Sequence, residues 1–514
     1  MRIVRIVSDR QESIVTADEA ENLLRVLQRE GFEVAAPCGG SGTCGKCLVD
    51  VVTEKGTEQR RACRTTLEDV LTVSLREESG GVIQETAAGT PEKHDSGREG
   101  YGAAVDLGTT TIVVRLFRLS DGEELGTKSA WSDQRRFGAD VITRTQYTME
   151  HENGLKELTE LVRSQILSLL GELCQDTKIP LTEIKEIFLA GNTVMQHLFA
   201  GLSPAGIAVA PFRPETLFDD GREDLLGGIP IRFAPCVAGY VGGDITAGLL
   251  AGGLRRKKGN RFFLDIGTNG EMALGGEDGF LCCAVASGPA FEGAGISCGM
   301  AGTDGAVSAV RWENGRLELD VIGGGTPRGI CGSGLLDLLA ILLREGVVDG
   351  FGRLLPPDEV PEEWRPLIRE DENENGELWL LPDGSLRFLA ADVRQLQLAK
   401  AAVAAGIAVL LKNAGISAED VEEVYIAGGF GSRLDPQSAI TLGMLPEEWN
   451  GRIIPLGDTA LLGASMALLS MEDREELFSV KESCRYLELS GNADFNRLFP
   501  EKMLFCEEDE EEWN

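Results

Sequence analysis

Four cysteines stand close together near the start of the chain, as Cys38-x5-Cys44-x2-Cys47 and then, after fifteen residues, Cys63. Thiolates are metal ligands, and four of them can hold a 2Fe–2S cluster. The intervening Gly39, Gly40, Gly42 and Gly45 suit that use, because backbone N–H groups must turn toward the sulfurs through angles closed to larger residues. A zinc knuckle and four structural cysteines are the alternatives. Zinc sites are generally built from paired C-x2–4-C units, and only one such pair exists here, so the spacing favours the cluster. Such a group moves one electron at a time.

A second constellation points to phosphate chemistry. Two segments each deliver an Asp into a Gly-containing turn: Asp106-Leu107-Gly108-Thr109-Thr110-Thr111 and Asp265-Ile266-Gly267-Thr268-Asn269-Gly270-Glu271. Backbone N–H groups and hydroxyls in such a hairpin can donate to phosphate, while the Asp holds Mg2+ through water. One copy alone is weak, since Asp-Gly turns join ordinary hairpins. Three further pieces accompany the pair. VYIAGGFGSRL sets Gly428 and Gly429 after an apolar strand, where adenosine can lie on bare backbone with Phe430 or Arg433 near the base. GYVGGDITAGLL places Asp244 21 positions before Asp265, and its Gly243, Ala247 and Gly248 permit a close helix crossing. GDTALLGASMALL, starting beside Asp458, reads as another helix with small residues at Ala460, Gly463 and Ala464. Asp244 either points toward a γ-phosphate or caps its helix with Thr246 nearby.

Other reactive-looking residues have plainer readings. Cys282, Cys283, Cys298 and Cys331 behave as small apolar residues when buried. Glu292 in GPAFEG and Ser333 in CGSG can face the cleft, but turn chemistry explains both, and packing on a helix explains His197. Asn192 in AGNT mirrors the adenosine-loop position in the other half.

These residues must be carried by a chain of 514 residues, long enough for about three or four ordinary units. At 43% hydrophobic and 26% charged it can build sizeable cores. Its 49 basic against 83 acidic residues leave 49 − 83 = −34, which argues against nucleic acid or an anionic membrane surface as partner. Only 3 His exclude a histidine-rich metal centre. No apolar run approaches the roughly 18 residues of a membrane span, and MRIVRIVSDRQES has no signal-peptide pattern, so the expected location is cytoplasmic.

Residues 1–76 read as a compact αβ unit: RIVRIV and SIVTA alternate like strands, EAENLLRVLQREG has helical spacing, and CLVDVV and DVLTVSL add strands. Residues 77–100, rich in Gly, Glu, Ser and Thr, read as a flexible linker with an r.m.s. span of roughly 25–30 Å. From 101 onward strands and helices alternate, the sign of α/β architecture. AAVDLGTTTIVVRLF resembles RFFLDIGTNGEMAL, and EIFLAGNTV resembles EVYIAGGFG. The duplication predicts two similar lobes, 101–260 and 261–480, facing a cleft. The intervals, 191 − 106 = 85 and 428 − 265 = 163, put extra sequence in the second lobe, expected at about 346–395. Residues 481–514 read as an acidic tail.

The cysteine loop resembles ferredoxins of the plant and vertebrate type, which implies a β-grasp fold. The five pieces at Asp106, Asp244, Asp265, Gly428 and Asp458 resemble, in order, phosphate 1, connect 1, phosphate 2, adenosine and connect 2. These are the motifs of the ASKHA superfamily of acetate and sugar kinases, heat-shock chaperones and actin. That resemblance implies that Asp106 and Asp265 organise Mg2+ and that Gly108, Thr109, Thr110, Gly267, Thr268 and Asn269 hold phosphates. It implies that Gly428, Gly429 and Phe430 face adenosine and that Asp244 orients the attacking water. Joined on one chain, with AVDLGTT, AGNT, DIGTNGE, GPAFEGA, GICGSGL and IAGGFG, the two parts resemble the reductive activators of corrinoid-dependent methyltransferases and corrinoid proteins of anaerobes. The resemblance implies ATP-driven, one-electron reduction of Co(II) to Co(I), a corrinoid protein as partner, an upstream electron donor and a homodimer. Competing readings are an ATP-driven reductase of another low-potential acceptor, a redox-gated switch without turnover, and a small-molecule kinase.

Overall fold

The computed structural model describes residues 1–8, 12–32, 34, 47–75, 89, 91, 97–220, 223–370, 376–431 and 433–505. The alternating residues of RIVRIV form β1 (Arg2–Val7), antiparallel to β2 (Glu12–Ala17). Helix α1 (Leu23–Arg29) is capped by Asn22, whose side chain accepts from the amides of Leu24 and Arg25, and it buries Leu23, Leu24, Val26 and Leu27. β3 (Leu48–Thr53), β4 (Gly56–Arg61) and β5 (Thr72–Ser74) complete a sheet of order β2-β1-β5-β3-β4, with β5 parallel to β1. Val4, Ile6, Val49, Val51 and Val73 close against the helix. This is the expected β-grasp arrangement. The edge strand β4, GTEQRR, is almost wholly exposed. Its composition carries no strand signal, and its ladder with β3 is what makes it one.

The first lobe contains β6 (Tyr101–Leu107), β7 (Thr111–Arg118), β8 (Glu124–Trp131), α2 (Val141–Glu150), α3 (Gly154–Thr177), β9 (Ile184–Gly191), α4 (Thr193–Ala200), α5 (Ala205–Ala208), β10 (Glu223–Leu226), β11 (Ile229–Phe233) and α6 (Gly243–Ala251). The second opens with β12 (Asn260–Ile266), β13 (Gly270–Gly276) and β14 (Gly279–Val285), then β15 (Ala306–Glu313), β16 (Arg316–Val321), β17 (Gly329–Ile330) and α7 (Gly332–Arg344). It continues through β18 (Ile368–Glu370), β19 (Gly376–Trp379), β20 (Arg387–Leu389), α8 (Ala390–Ala414), β21 (Val421–Ala427), α9 (Gly428–Gly431), α10 (Pro436–Thr441) and β22 (Ile453–Gly457). α11 (Thr459–Leu469), α12 (Met471–Ser483), β23 (Cys484–Tyr486) and α13 (Ala493–Glu501) close the chain's described part.

The repeat in the sequence is a repeat in topology. One sheet runs β10-β11-β9-β6-β7-β8 and the other β22-β21-β12-β13-β14-β23, so β6, β7, β8, β9 and β11 match β12, β13, β14, β21 and β22. Each lobe's last helix before the next strand set lies across the other lobe. Ala247 and Leu250 of α6 and Leu461, Ala464 and Leu468 of α11 pack on Ala104, Phe117 and Phe188 of the first sheet. Ile245 and Leu249 of α6 reach Phe263 and Tyr425 of the second. The two helices cross backbone to backbone: a Cβ placed on Gly463 would stand 2.1 Å from the Ala247 carbonyl oxygen.

Several expectations need revision. The extra sequence of the second lobe is not confined to 346–395, because β15–β17 add a three-stranded sheet before it. Residues 481–505 are not a tail. β23 pairs in parallel with β14, and Phe495, Leu498 and Phe499, at helical spacing on α13, pack on the second lobe's core. Lys400 Nζ donates to Leu504 O at 2.6 Å and Gln397 Nε2 to Met503 O at 3.0 Å. The linker's far end is likewise packed: Pro91 is buried, and Arg98 pairs with Glu186 at 2.6 Å. By length and composition α8 could cross a membrane. It instead lies in the second lobe's core, with Val393, Leu396, Val403, Ile407 and Leu410 buried.

Candidate functional site

Of the four cluster cysteines, Cys47 and Cys63 fall within the described residues; Cys38 and Cys44 lie outside them. Cys47 precedes β3, and Cys63 sits in the turn Ala62–Arg64. The Ala62 amide donates to Cys47 O at 2.7 Å. Asn22, the cap of α1, donates from Nδ2 to Cys63 O at 2.9 Å, so one side chain fixes both the helix and the cysteine turn. The two sulfurs are 3.2 Å apart and buried, 1% and 8% exposed. That is far beyond the about 2.05 Å of a disulfide and suits two thiolates converging on one metal. This half of the ligand set fits a 2Fe–2S cluster.

In the cleft, β6 delivers Asp106 opposite Val113 of β7 and beside Ala190 of β9. β12 delivers Asp265 opposite Glu271 of β13 and beside Ala427 of β21. The aspartates therefore hold equivalent places in the two sheets. They line one cavity of about 670 Å3 with Asp244, Glu271 and Asp458. Gly108, Thr109, Thr110, Gly267, Thr268, Asn269, Gly428, Gly429 and Phe430 line the same space. Gly428 takes φ +82°, and a Cβ there would stand 2.6 Å from Asp265 Oδ1, so the strand-end turn requires glycine. Phe430 stacks on Phe291, centroids 5.1 Å apart.

The hairpins are held from behind and across. Asn192 Nδ2 donates to Thr109 Oγ1 at 3.0 Å, and Asn192 caps α4 by accepting from the Met195 amide. Arg144, fully buried, donates to Thr109 O at 2.6 Å and to Gly138 O at 3.0 Å; burial pulls its pKa down to about 9. Ser287 Oγ reaches the carbonyls of Gly267 and Thr268, each at 3.1 Å. Glu292 bridges the lobes, accepting from Thr110 at 3.1 Å and Thr268 at 2.6 Å. Turn chemistry thus does not account for Glu292, nor for Ser333, which also lines the cavity. Asp244 is not the cap of α6, which is Gly242; it lies in the first turn and accepts from the Ile245 amide at 2.9 Å. His197 is wholly buried, with its Nδ1 2.6 Å from Thr193 O.

The carboxylates make this an electrostatically unusual place. Burial in the cleft, then the charges of Asp458, Asp244 and Asp265, push Asp106 well above its ordinary value. Burial lifts Asp244 to about 6, and burial with Asp244 and Asp458 lifts Asp265 to about 7. Glu271 is raised well above its ordinary value by burial and by Asp244 and Asp265. No cation of the described residues is among the groups that set these four carboxyls, and such a cluster fits a divalent cation. Among the described residues no three His, Cys, Asp or Glu converge closely enough to ligate a metal directly; Mg2+ is ordinarily held by one or two carboxylates together with retained waters. A raised carboxyl stabilises the fold only while it holds its proton. The unfolded chain loses that proton first as pH climbs from about 4 through 7, so stability falls over that range. The nucleotide-free chain is expected to melt at a lower temperature at pH 8 than at pH 5.5. Mg2+ with a nucleotide should raise the midpoint more at pH 8, as differential scanning calorimetry would read.

Two lobes of one topology around a carboxylate-lined cavity, with a β-grasp cysteine domain on the same chain, define an ASKHA-type ATPase carrying a 2Fe–2S domain. Residues 260–514 match the family described as the C-terminal domain of RACo, the ASKHA domain; 101–257 match the RACo middle region; 6–69 match the 2Fe–2S iron–sulfur cluster binding domain. The corrinoid activation enzyme RamQ of Eubacterium limosum is 34% identical over 418 residues, 79% of this chain and 70% of that protein. The [Co(II) methylated amine-specific corrinoid protein] reductase of Methanosarcina barkeri is 25% identical over 436 residues, covering 78% and 76%. The solved reductive activator for corrinoid, iron–sulfur protein is 30% identical, with coverage of 97% and 98% and a TM-score of 0.70. The chain belongs to the RACo family.

Proposed function

We propose that this chain reductively activates a corrinoid protein, using ATP to drive one electron from its 2Fe–2S site onto Co(II), which becomes Co(I). The observation that carries the reading is the pairing, on one chain, of converging buried thiols at Cys47 and Cys63 with a carboxylate cleft between duplicated lobes. When bound, the cluster supplies a one-electron carrier and Mg2+ neutralises phosphate charge. The chain's residues do the rest. Cys38, Cys44, Cys47 and Cys63 hold the iron; Asp106 and Asp265 orient the waters of Mg2+. Thr109, Thr110, Thr268 and Asn269 grip phosphates, with Gly108 and Gly267 giving room. Gly428, Gly429 and Phe430 take the adenosine, and Asp244, poised by its pKa of about 6, orients the attacking water. Residues 1–76, 101–260 and 261–480 act as the electron-transfer unit and the two lobes. An upstream donor, a homodimer and a cytoplasmic setting complete the picture.

Chemically reduced protein mixed with a Co(II) corrinoid protein should form Co(I), followed by its absorbance, at least about tenfold faster with MgATP than without, an ordinary coupling. Equal rates with and without nucleotide, or no Co(I) in either, would exclude the proposal.

A further inference from the structure

The turn Pro289–Glu292 touches the adenosine loop and both phosphate hairpins at once. Phe291 stacks on Phe430, and its carbonyl is packed against Gly332, where there is no room for a Cβ. The next residue spans the cleft. Glu292 Oε2 accepts from Thr110 Oγ1 of the first lobe at 3.1 Å, and Oε1 accepts from Thr268 Oγ1 of the second at 2.6 Å. A hydroxyl has one proton and an ionised carboxylate only accepts, so both protons are committed to Glu292. Neither hydroxyl can then donate to a phosphate. The carboxylate also lies over the second hairpin: a Cβ placed on Gly267 would stand 3.6 Å from Oε1. The turn is fixed at its ends by Gly288 and Gly293, both at φ +75°, and a Cβ on Gly293 would run into the backbone of Met300. The root of Glu292 is therefore held, and its side chain is the part that can yield.

We propose that Glu292 is a positioning residue that holds, in the nucleotide-free cleft, the place of the phosphate that spans the two hairpins, and that it thereby sets how the site discriminates a nucleoside triphosphate from a diphosphate. A carboxylate and a phosphate compete for the same two hydroxyl protons, and two anions at one place repel. With adenosine on the second lobe at Gly428, Gly429 and Phe430, as in the binding mode above, the first phosphates meet the hairpin of that same lobe. The phosphate farthest from the base is the one that also reaches Thr110 across the cleft. It displaces Glu292, whereas a diphosphate leaves the bridge from Thr110 to Thr268 in place. Bridge and terminal phosphate thus exclude one another, and loss of that phosphate lets the carboxylate return. This role rests on the ATP-driven reading above and specifies which nucleotide state the two lobes register.

Calorimetric titration of the full chain with Mg2+ and a non-hydrolysable ATP analogue, and separately with MgADP, tests it. Glu292→Gln keeps the shape and removes the charge. It should bind the analogue at least about tenfold more tightly than the parent, an ordinary coupling between competing groups. Its affinity for MgADP should not move. Glu292→Ala, which frees both hydroxyls outright, should show the same split and serves if Glu292→Gln does not fold. An analogue affinity that is unchanged or weakened overturns the proposal, because Glu292 would then not oppose the phosphate. An equal gain for both nucleotides also overturns it, since a general loss of negative charge from the cleft would give that. If the split appears while MgATP drives no Co(I) formation, the role of Glu292 stands and the proposed function falls. If MgATP drives Co(I) formation and Glu292→Gln shows no split, the reverse holds.

Discussion

Asp265→Asn should lower ATP-driven Co(I) formation at least about 10²-fold, a cost typical of removing one preorganised charge, while the protein stays folded. The two expectations come from the same observation. Asp265 sits at the end of β12 with its carboxyl raised to about 7 by burial and by Asp244 and Asp458, so at pH 8 its charge opposes folding. The amide resembles the protonated carboxyl in shape and removes that repulsion, and the nucleotide-free variant should melt no lower than the parent at pH 8. What it cannot do is bear charge toward a hydrated cation. Calorimetric titration with MgATP should show weakened binding, and Asp106→Asn, at the equivalent place in the first sheet, should behave alike. A variant that keeps the full ATP-driven rate would remove Asp265 from the machinery.

Cys63→Ser is expected to abolish electron delivery altogether and leave nucleotide binding intact. A serine hydroxyl does not ionise as a thiol does, and Cys47 would then converge on a poor ligand. Iron per chain should fall from about two to near zero, with loss of visible colour and of any Co(I) formation. The lobes should not notice. Cys63 belongs to the core that α1 closes with β1, β3 and β5, which is separate from the cores of both lobes. MgATP affinity unchanged beside iron lost is the expected pair of results; a variant that retains its cluster would overturn the assignment of Cys63.

The parts legible in the sequence were those where chemistry forces residue type at fixed spacing. Asp106 and Asp265 announce themselves because each ends an apolar strand before a Gly turn, and the cysteines because iron tolerates little else. Glu292 carried no comparable signal: its partners, Thr110 and Thr268, lie 182 and 24 positions away, and a lone Glu after Pro-Ala-Phe looks like any turn. Glu271 and Asp458 stand inside recognisable motifs, but nothing in their spacing marks their carboxyls as part of the charged cluster: one lies on a strand, and the other caps α11. β4 was invisible because an edge strand with both faces wet needs no alternation. The acidic run after Phe505 gives the chain's last stretch a polar composition, which masks Phe495, Leu498 and Phe499, whose spacing marks α13 as packed on the core.

The exchange of α6 and α11 between the lobes constrains how the cleft can breathe. With Gly463 seated on the Ala247 carbonyl, no side chain stands between the helices to act as a lever or a cushion. The halves are riveted there like scissor blades: they can swing about the crossing, but sliding past it would drive backbone into backbone. Opening at the mouth is thus geared to one fixed axis, and whatever grips the far handles feels the blades move.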